Sequence, residues 1–167
     1  ASTHLADLVA AERFVSLLLD NAAGEERDRL SVVRGRLRFW LSTLADEQLE
    51  SPPDPVQFDA WLDGAIADFE LAREAAFAPW DRAVLGNAYG RKFAASAGGE
   101  EDRQLLAAAI GAFEKAIADP AFADLSDYRR RLVMDGEVRV LENALTGDLR
   151  NPLLSGFGPQ PGDPDYD

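Results

Sequence analysis

The chain has 167 residues, 47% of them apolar and 28% charged, a length and balance suited to one globular domain rather than a disordered segment. Thirty acidic residues against 17 basic ones leave a net charge of −13, which argues against a nucleic-acid backbone as partner, since that contact needs clustered Lys and Arg. There is no cysteine, so disulfides and thiolate chemistry are excluded, and no apolar run approaches the roughly 20 residues that membrane insertion requires.

The period of apolar residues predicts six helices and an all-α fold. The first is expected from about Thr3 to Ala22, with Leu8, Val9, Val15, Leu18 and Leu19 inward and Gly24 as its C-terminal cap. The second, from about Glu25 to Leu44, follows after so short a connection that the two should form an antiparallel hairpin. In "SPPDPVQ", Pro52 and Pro53 interrupt the chain, Asp54 suits an N-cap and Pro55 the first helical position, so a third helix is expected from there to about Ala75. A fourth covers about Trp80 to Ser96, a fifth about Asp102 to Ala118, stopped by Asp119-Pro120, and a sixth about Ser126 to Leu145. Residues 1–147 then form one helical domain, either a hairpin array or a compact bundle. The segment 147–167 holds four prolines and four glycines with no helical or alternating period, and residues 148–167 have the composition of an irregular acidic tail.

"LGNAY" at 85–89 and "AIGAFEKAIADP" at 109–120 together resemble the two halves of a tetratricopeptide repeat, a helix–turn–helix unit. The matching residues are Leu85, Gly86 and Tyr89 on one helix and Ala109, Phe113, Ala116 and Pro120 on the other. Small residues at 86, 109 and 116 would let two backbones approach closely while Tyr89 and Phe113 fill the space between pairs. The spacing departs from the family, with 20 residues from Tyr89 to Ala109 and an insertion at "SAGGEED". The resemblance implies a repeat-like scaffold that binds a protein or peptide.

Nothing in the chain spells out a reaction centre. His4 is the single histidine, and one histidine without cysteine leaves most zinc, haem and di-iron schemes without ligands. No phosphate-binding glycine loop with its lysine is present, and no nucleophile elbow. No catalytic residue, cofactor or metal is expected.

Charge is distributed unevenly along the chain. Between 46 and 74 stand nine carboxylates against Arg73 alone. On a helical wheel Asp59, Asp63, Glu70 and Glu74 fall within about 60° of one another, a stripe that could dock a basic partner, hold a divalent cation weakly or, as a solvated face, do nothing specific. The second helix carries Arg27, Arg29, Arg34, Arg36 and Arg38, so pairing with carboxylates of the third helix is the internal alternative. A second basic cluster, Arg129, Arg130 and Arg131, stands at the start of the sixth helix, where the helix dipole disfavours positive charge. In the tail, Leu153, Leu154 and Phe157 are expected to dock on apolar surface of this chain or of a second copy, with the acidic end near those arginines. The tryptophans Trp40, Trp61 and Trp80 are expected in the core.

These residues favour a non-catalytic scaffold or adaptor in the cytoplasm, the periplasm being the alternative compartment, that binds a basic protein or peptide. A small accessory subunit or assembly chaperone of an enzyme is the second reading. Self-association through the tail is compatible with either.

Overall fold

The computed structural model describes residues 2–47, 55–95 and 100–146. Among them the fold is all-α, with six helices: α1 (Ser2–Leu19), α2 (Gly24–Glu47), α3 (Pro55–Leu71), α4 (Pro79–Ala95), α5 (Glu100–Ala118) and α6 (Asp127–Thr146). Two short 3-10 turns, Glu74–Ala76 and Pro120–Asp124, follow α3 and α5. The expected helices all form, with two boundary corrections. Helix α1 closes at Leu19 through turn bonds from the amides of Asn21 and Ala22, and Gly24, at φ +59°, opens α2 instead of capping α1. Helix α3 ends at Leu71, so Glu74 lies in the 3-10 turn and leaves the helical stripe assigned to it. Pro55 does open α3, and Asp54 lies outside the described residues.

The helices group into two compact units, Ala1–Phe77 and Ala78–Asp167. In the first, the pairing of Arg34 with Ser16 and of Arg38 with Glu12 runs α1 antiparallel to α2. Contacts of Gly35 with Phe69 and of Asp28 with Arg73 run α3 antiparallel to α2 as well. Being flanked twice, α2 is buried over more of its circumference than an ordinary surface helix: Ser31, Val32, Phe39, Leu41, Ser42 and Thr43 are all enclosed. The hydroxyls of Ser42 and Thr43 both donate to the Phe39 carbonyl, at 2.7 and 3.0 Å, which satisfies them inside the core. Phe39, Leu62, Ala65, Ile66 and Phe69 supply the bulk of that core.

The second unit has the same up-down-up order. Arg82 meets Asp119 and Gly86 meets Phe113, so α5 runs antiparallel to α4, while contacts of Asn87 with Gly136 and of Gly90 with Val140 set α6 parallel to α4. Phe113, fully enclosed, is the centre: a Cβ added at Gly86 or at Gly136 would stand 2.9 Å from its ring, and one at Gly90 2.8 Å from Val140. Ala83, Ala109, Ala116, Val133 and Val140 complete this core, with Trp80 and Tyr89 packed against it. Asp119 caps the 3-10 turn after α5, accepting from the Ala121 amide at 2.9 Å, and ties it to α4 by accepting from Arg82 Nη1 at 2.6 Å. The Asp81 carboxylate accepts from the Ala78 amide at 3.0 Å, closing the first turn of α4.

Ala116 has no exposed surface. Ala116→Leu is therefore expected to lower the unfolding free energy by roughly 1–3 kcal/mol through overpacking, as read by urea denaturation. An unchanged midpoint would show that this core can expand.

Candidate interaction surfaces

The most organised polar cluster lies in the first unit and is built on α2. Arg34 donates from Nε to Asp68 Oδ2 at 2.9 Å and from Nη2 to Oδ1 at 2.6 Å, a bidentate pair. Arg38 donates from Nη1 to Asp68 Oδ2 at 3.0 Å and from Nε to Glu12 Oε1 at 2.8 Å. Ser16 joins the cluster, accepting from Arg34 Nη1 and donating to Glu12, both at 3.3 Å. The two arginines thus join α1, α2 and α3 at one seam. Gly64 makes room for Arg38, because a Cβ there would lie 3.2 Å from its Nη1. Asp68 is only 1% exposed. Its hydrogen bond, set against the cost of burial and helped by the fields of Asp68, Glu12 and Asp20, holds the Arg34 guanidinium charged more firmly than usual.

Pairing between α2 and α3 was expected on the surface; the structure places it at a buried carboxylate instead. Asp68 is one of nine acidic residues in its stretch of sequence, and its type alone gave no sign of a different role. The available signal lay on α2, where Arg34 and Arg38 stand i, i+4 beside Ser31, Gly35 and Ser42. Small residues around two arginines mark a seam where helices come close and charge is enclosed.

Of the acidic stripe, Asp59, Asp63 and Glu70 stand on α3 with exposed side chains, and Glu74 is exposed on the adjoining 3-10 turn. The Arg129–Arg131 cluster is largely absorbed by its own unit. Arg129 lies 5.2 Å from the ring centroid of Trp80, a cation–π contact. Arg130 donates to the Ala123 carbonyl at 2.8 Å and pairs with Asp127, one turn away on the same helix. Asp127 supplies the negative charge that the N-terminus of α6 favours, which makes its arginines tolerable there. Arg131 is exposed. Leu153, Leu154 and Phe157 lie outside the described residues. The three tryptophans are half-buried rather than enclosed.

Two exposed apolar faces had not been read from the sequence. On α1, Phe14 and Leu17 are 62% and 66% exposed, with Leu18 beside them. On α6, Met134, Val138 and Leu141 stand outward, on the side away from Val133, Gly136 and Val140. Leu18 had been placed in the core, because a leucine-rich helix offers more apolar residues than one neighbour can cover. An open recess of about 310 Å³ between Gly24, Arg27, Asp28, Leu71 and Arg73 lies at the α1–α2 turn. Among the described residues no group of three or more His, Cys, Asp or Glu is placed to hold a metal ion, and no helix is long and apolar enough to cross a membrane.

Glu137 on α6 has its carboxyl raised above the usual range, by burial first and by the like charge of Glu114 second. In the window just above the ordinary carboxylate range the folded chain then binds more protons here than the unfolded one, so stability falls as pH rises through it. Glu137→Gln is expected to raise the melting temperature near neutral pH, with a gain that fades on acidification to about pH 4. A gain independent of pH would assign the effect to packing.

Comparison of the chain with known protein families, with curated proteins and with solved structures finds no match in any of the three.

Proposed function

We propose that the protein is a non-catalytic interaction scaffold or adaptor that binds a protein or peptide partner. The observation that carries this reading is the apolar face of α1, where Phe14, Leu17 and Leu18 are held outward on a helix already anchored to α2 by the Arg38–Glu12 ion pair and the Arg34–Ser16 hydrogen bond. Exposed large apolar side chains grouped on one element mark interaction sites more often than chance surface composition does. The same unit presents Asp59, Asp63 and Glu70, so a partner with an apolar face and basic flanks, such as an amphipathic helix, suits it best. The close α4–α5 pairing through Gly86 and Phe113 supports the tetratricopeptide-like reading of that hairpin as scaffold. An assembly chaperone that covers an apolar surface would use the same α1 face.

A photo-crosslinking residue at Leu17 tests the proposal in cells of the source. One discrete adduct is expected, lost with Phe14→Asp and reduced by salt and by Asp59→Asn, Asp63→Asn and Glu70→Gln together. Capture that is indifferent to Phe14→Asp would overturn it.

A further inference from the structure

The apolar face of α1 has the pattern of a helix that can pair with itself. Ala10, Phe14 and Leu17, spaced i, i+4 and i+7, are exposed and fall within about 60° of one another around the helix, with Leu18 beside Phe14. Glu12 and Ser16, which meet Arg38 and Arg34, stand about 160° round from Phe14, so the strip points away from α2. Arg13 and Asp20 border the strip on one side, two turns apart, and Leu18 borders it on the other. Both charged residues are exposed, Asp20 being the first residue after α1. Among the described residues neither joins an ion pair, and Asp20 contributes only the weakest of the fields that act on Arg34.

A flank with one charge of each sign is complementary to itself when two such helices lie antiparallel. We propose that two copies of the chain pair antiparallel through α1, with Phe14 of each against Leu17 of the other, and that this weak pairing covers the face until a partner takes it. The inference rests on the reading of α1 as the interaction face and names what occupies that face first. In this register Arg13 of one copy and Asp20 of the other lie about 3 Å apart along the axis, on the same side, and the contact occurs twice. On the other side Leu18 falls, with the same offset, beside Ala11 of the second copy, a small residue that leaves room for it. Asp7, also in line with the strip, lies opposite residue 24 of the second copy, past the end of its α1, and does not meet Phe14 or Leu17. A parallel pair would instead set Arg13 beside Leu18 of the other copy, so charge selects the direction. Three large apolar side chains from each copy fall well short of the roughly 20–30 residues a side of a stable interface, so the pair is weak and reversible, as a face that must be released to a partner requires.

Sedimentation velocity of the full chain over a concentration series tests the pairing. Physiological salt suits it, because screening over about 8 Å removes most of the repulsion between chains of net charge −13 while sparing charges in contact. The parent is expected to pass from monomer to dimer as concentration rises, and Phe14→Asp to stay monomeric. Arg13→Asp alone and Asp20→Arg alone should each weaken the dimer at least about five-fold, since each turns both attractive contacts into like-charge ones. An equimolar mixture of these two variants should regain the parent's strength, because the mixed dimer holds one native pair and one reversed pair. A parent that is monomeric at every concentration would overturn the proposal, as would a mixture no tighter than its components. The scaffold reading is judged separately by the Leu17 adduct. A chain that never dimerises yet gives one adduct with another protein overturns the self-pairing and leaves the scaffold standing; a dimer with the expected charge response and no such adduct supports the self-pairing and removes the partner.

Discussion

Asp68→Ala is expected to cost about 3–5 kcal/mol of unfolding free energy, enough to leave the first unit marginal or unfolded, whereas Asp59→Ala on the same helix should change it by no more than about 0.5 kcal/mol. The difference comes from enclosure. Asp59 is exposed and solvated, while Asp68 is buried and receives three hydrogen bonds from Arg34 and Arg38. Removing its carboxylate leaves two guanidinium groups part-buried around a gap, with Glu12 as the only remaining anion of the cluster. Replacing the charges together is a different experiment. Apolar side chains of similar volume at 34, 38 and 68 should recover much of the loss, because a buried ion pair costs nearly as much desolvation as it returns in attraction. Urea denaturation of the single and the combined variants separates the two effects. A single variant within about 0.5 kcal/mol of the parent would show that water reaches the cluster freely.

The second large effect centres on Phe113. Phe113→Ala is expected to destabilise by about 3–5 kcal/mol, the range for emptying a fully enclosed aromatic site. Glycines 86 and 136 make the prediction more specific. On helix propensity alone, Gly136→Ala should stabilise α6 by up to about 1 kcal/mol. In the parent it should instead destabilise, because its methyl group would meet the Phe113 ring at 2.9 Å and the ring is held at its other edge by Gly86. In the Phe113→Ala background the ring is gone and only the Asn87 Oδ1, 3.2 Å from the added Cβ, has to shift by a few tenths of an ångström, so the same substitution should become stabilising. Gly111→Ala on α5 is the control: nothing lies within 4 Å of its added Cβ, and it should stabilise by roughly 0.4–1 kcal/mol in both backgrounds. A double-mutant cycle measures the sign reversal directly. An effect of Gly136→Ala that is the same in both backgrounds would mean that the ring yields.

What the sequence made legible follows from which physical signals are local. Helix ends were visible because Pro55, Pro79 and Pro120 and the connection 20–24 act on the backbone within one turn. The small residues Gly86, Ala109 and Ala116 were legible as a close helix contact, since size alone decides whether two backbones can approach. Asp68 was not, because its role depends on Arg34 and Arg38, 34 and 30 residues earlier, and a carboxylate looks alike whether solvated or enclosed. The outward placement of Phe14, Leu17, Met134 and Val138 was equally hidden. Periodicity reports that a helix has an apolar side without stating how many neighbours exist to cover it.

Seating one aromatic ring against two glycines from different helices also has a consequence for how such a chain can change over time. Positions 86, 113 and 136 cannot drift independently: any substitution that adds a methyl group at 86 or 136 becomes acceptable only after the ring at 113 has shrunk, and a shrunken ring leaves a void until one of the glycines grows. Distant kin should therefore show the three positions covarying, with glycines beside a phenylalanine or alanines beside a smaller aliphatic residue. That three-way correlation, spread over helices α4, α5 and α6, would survive long after overall sequence identity has faded.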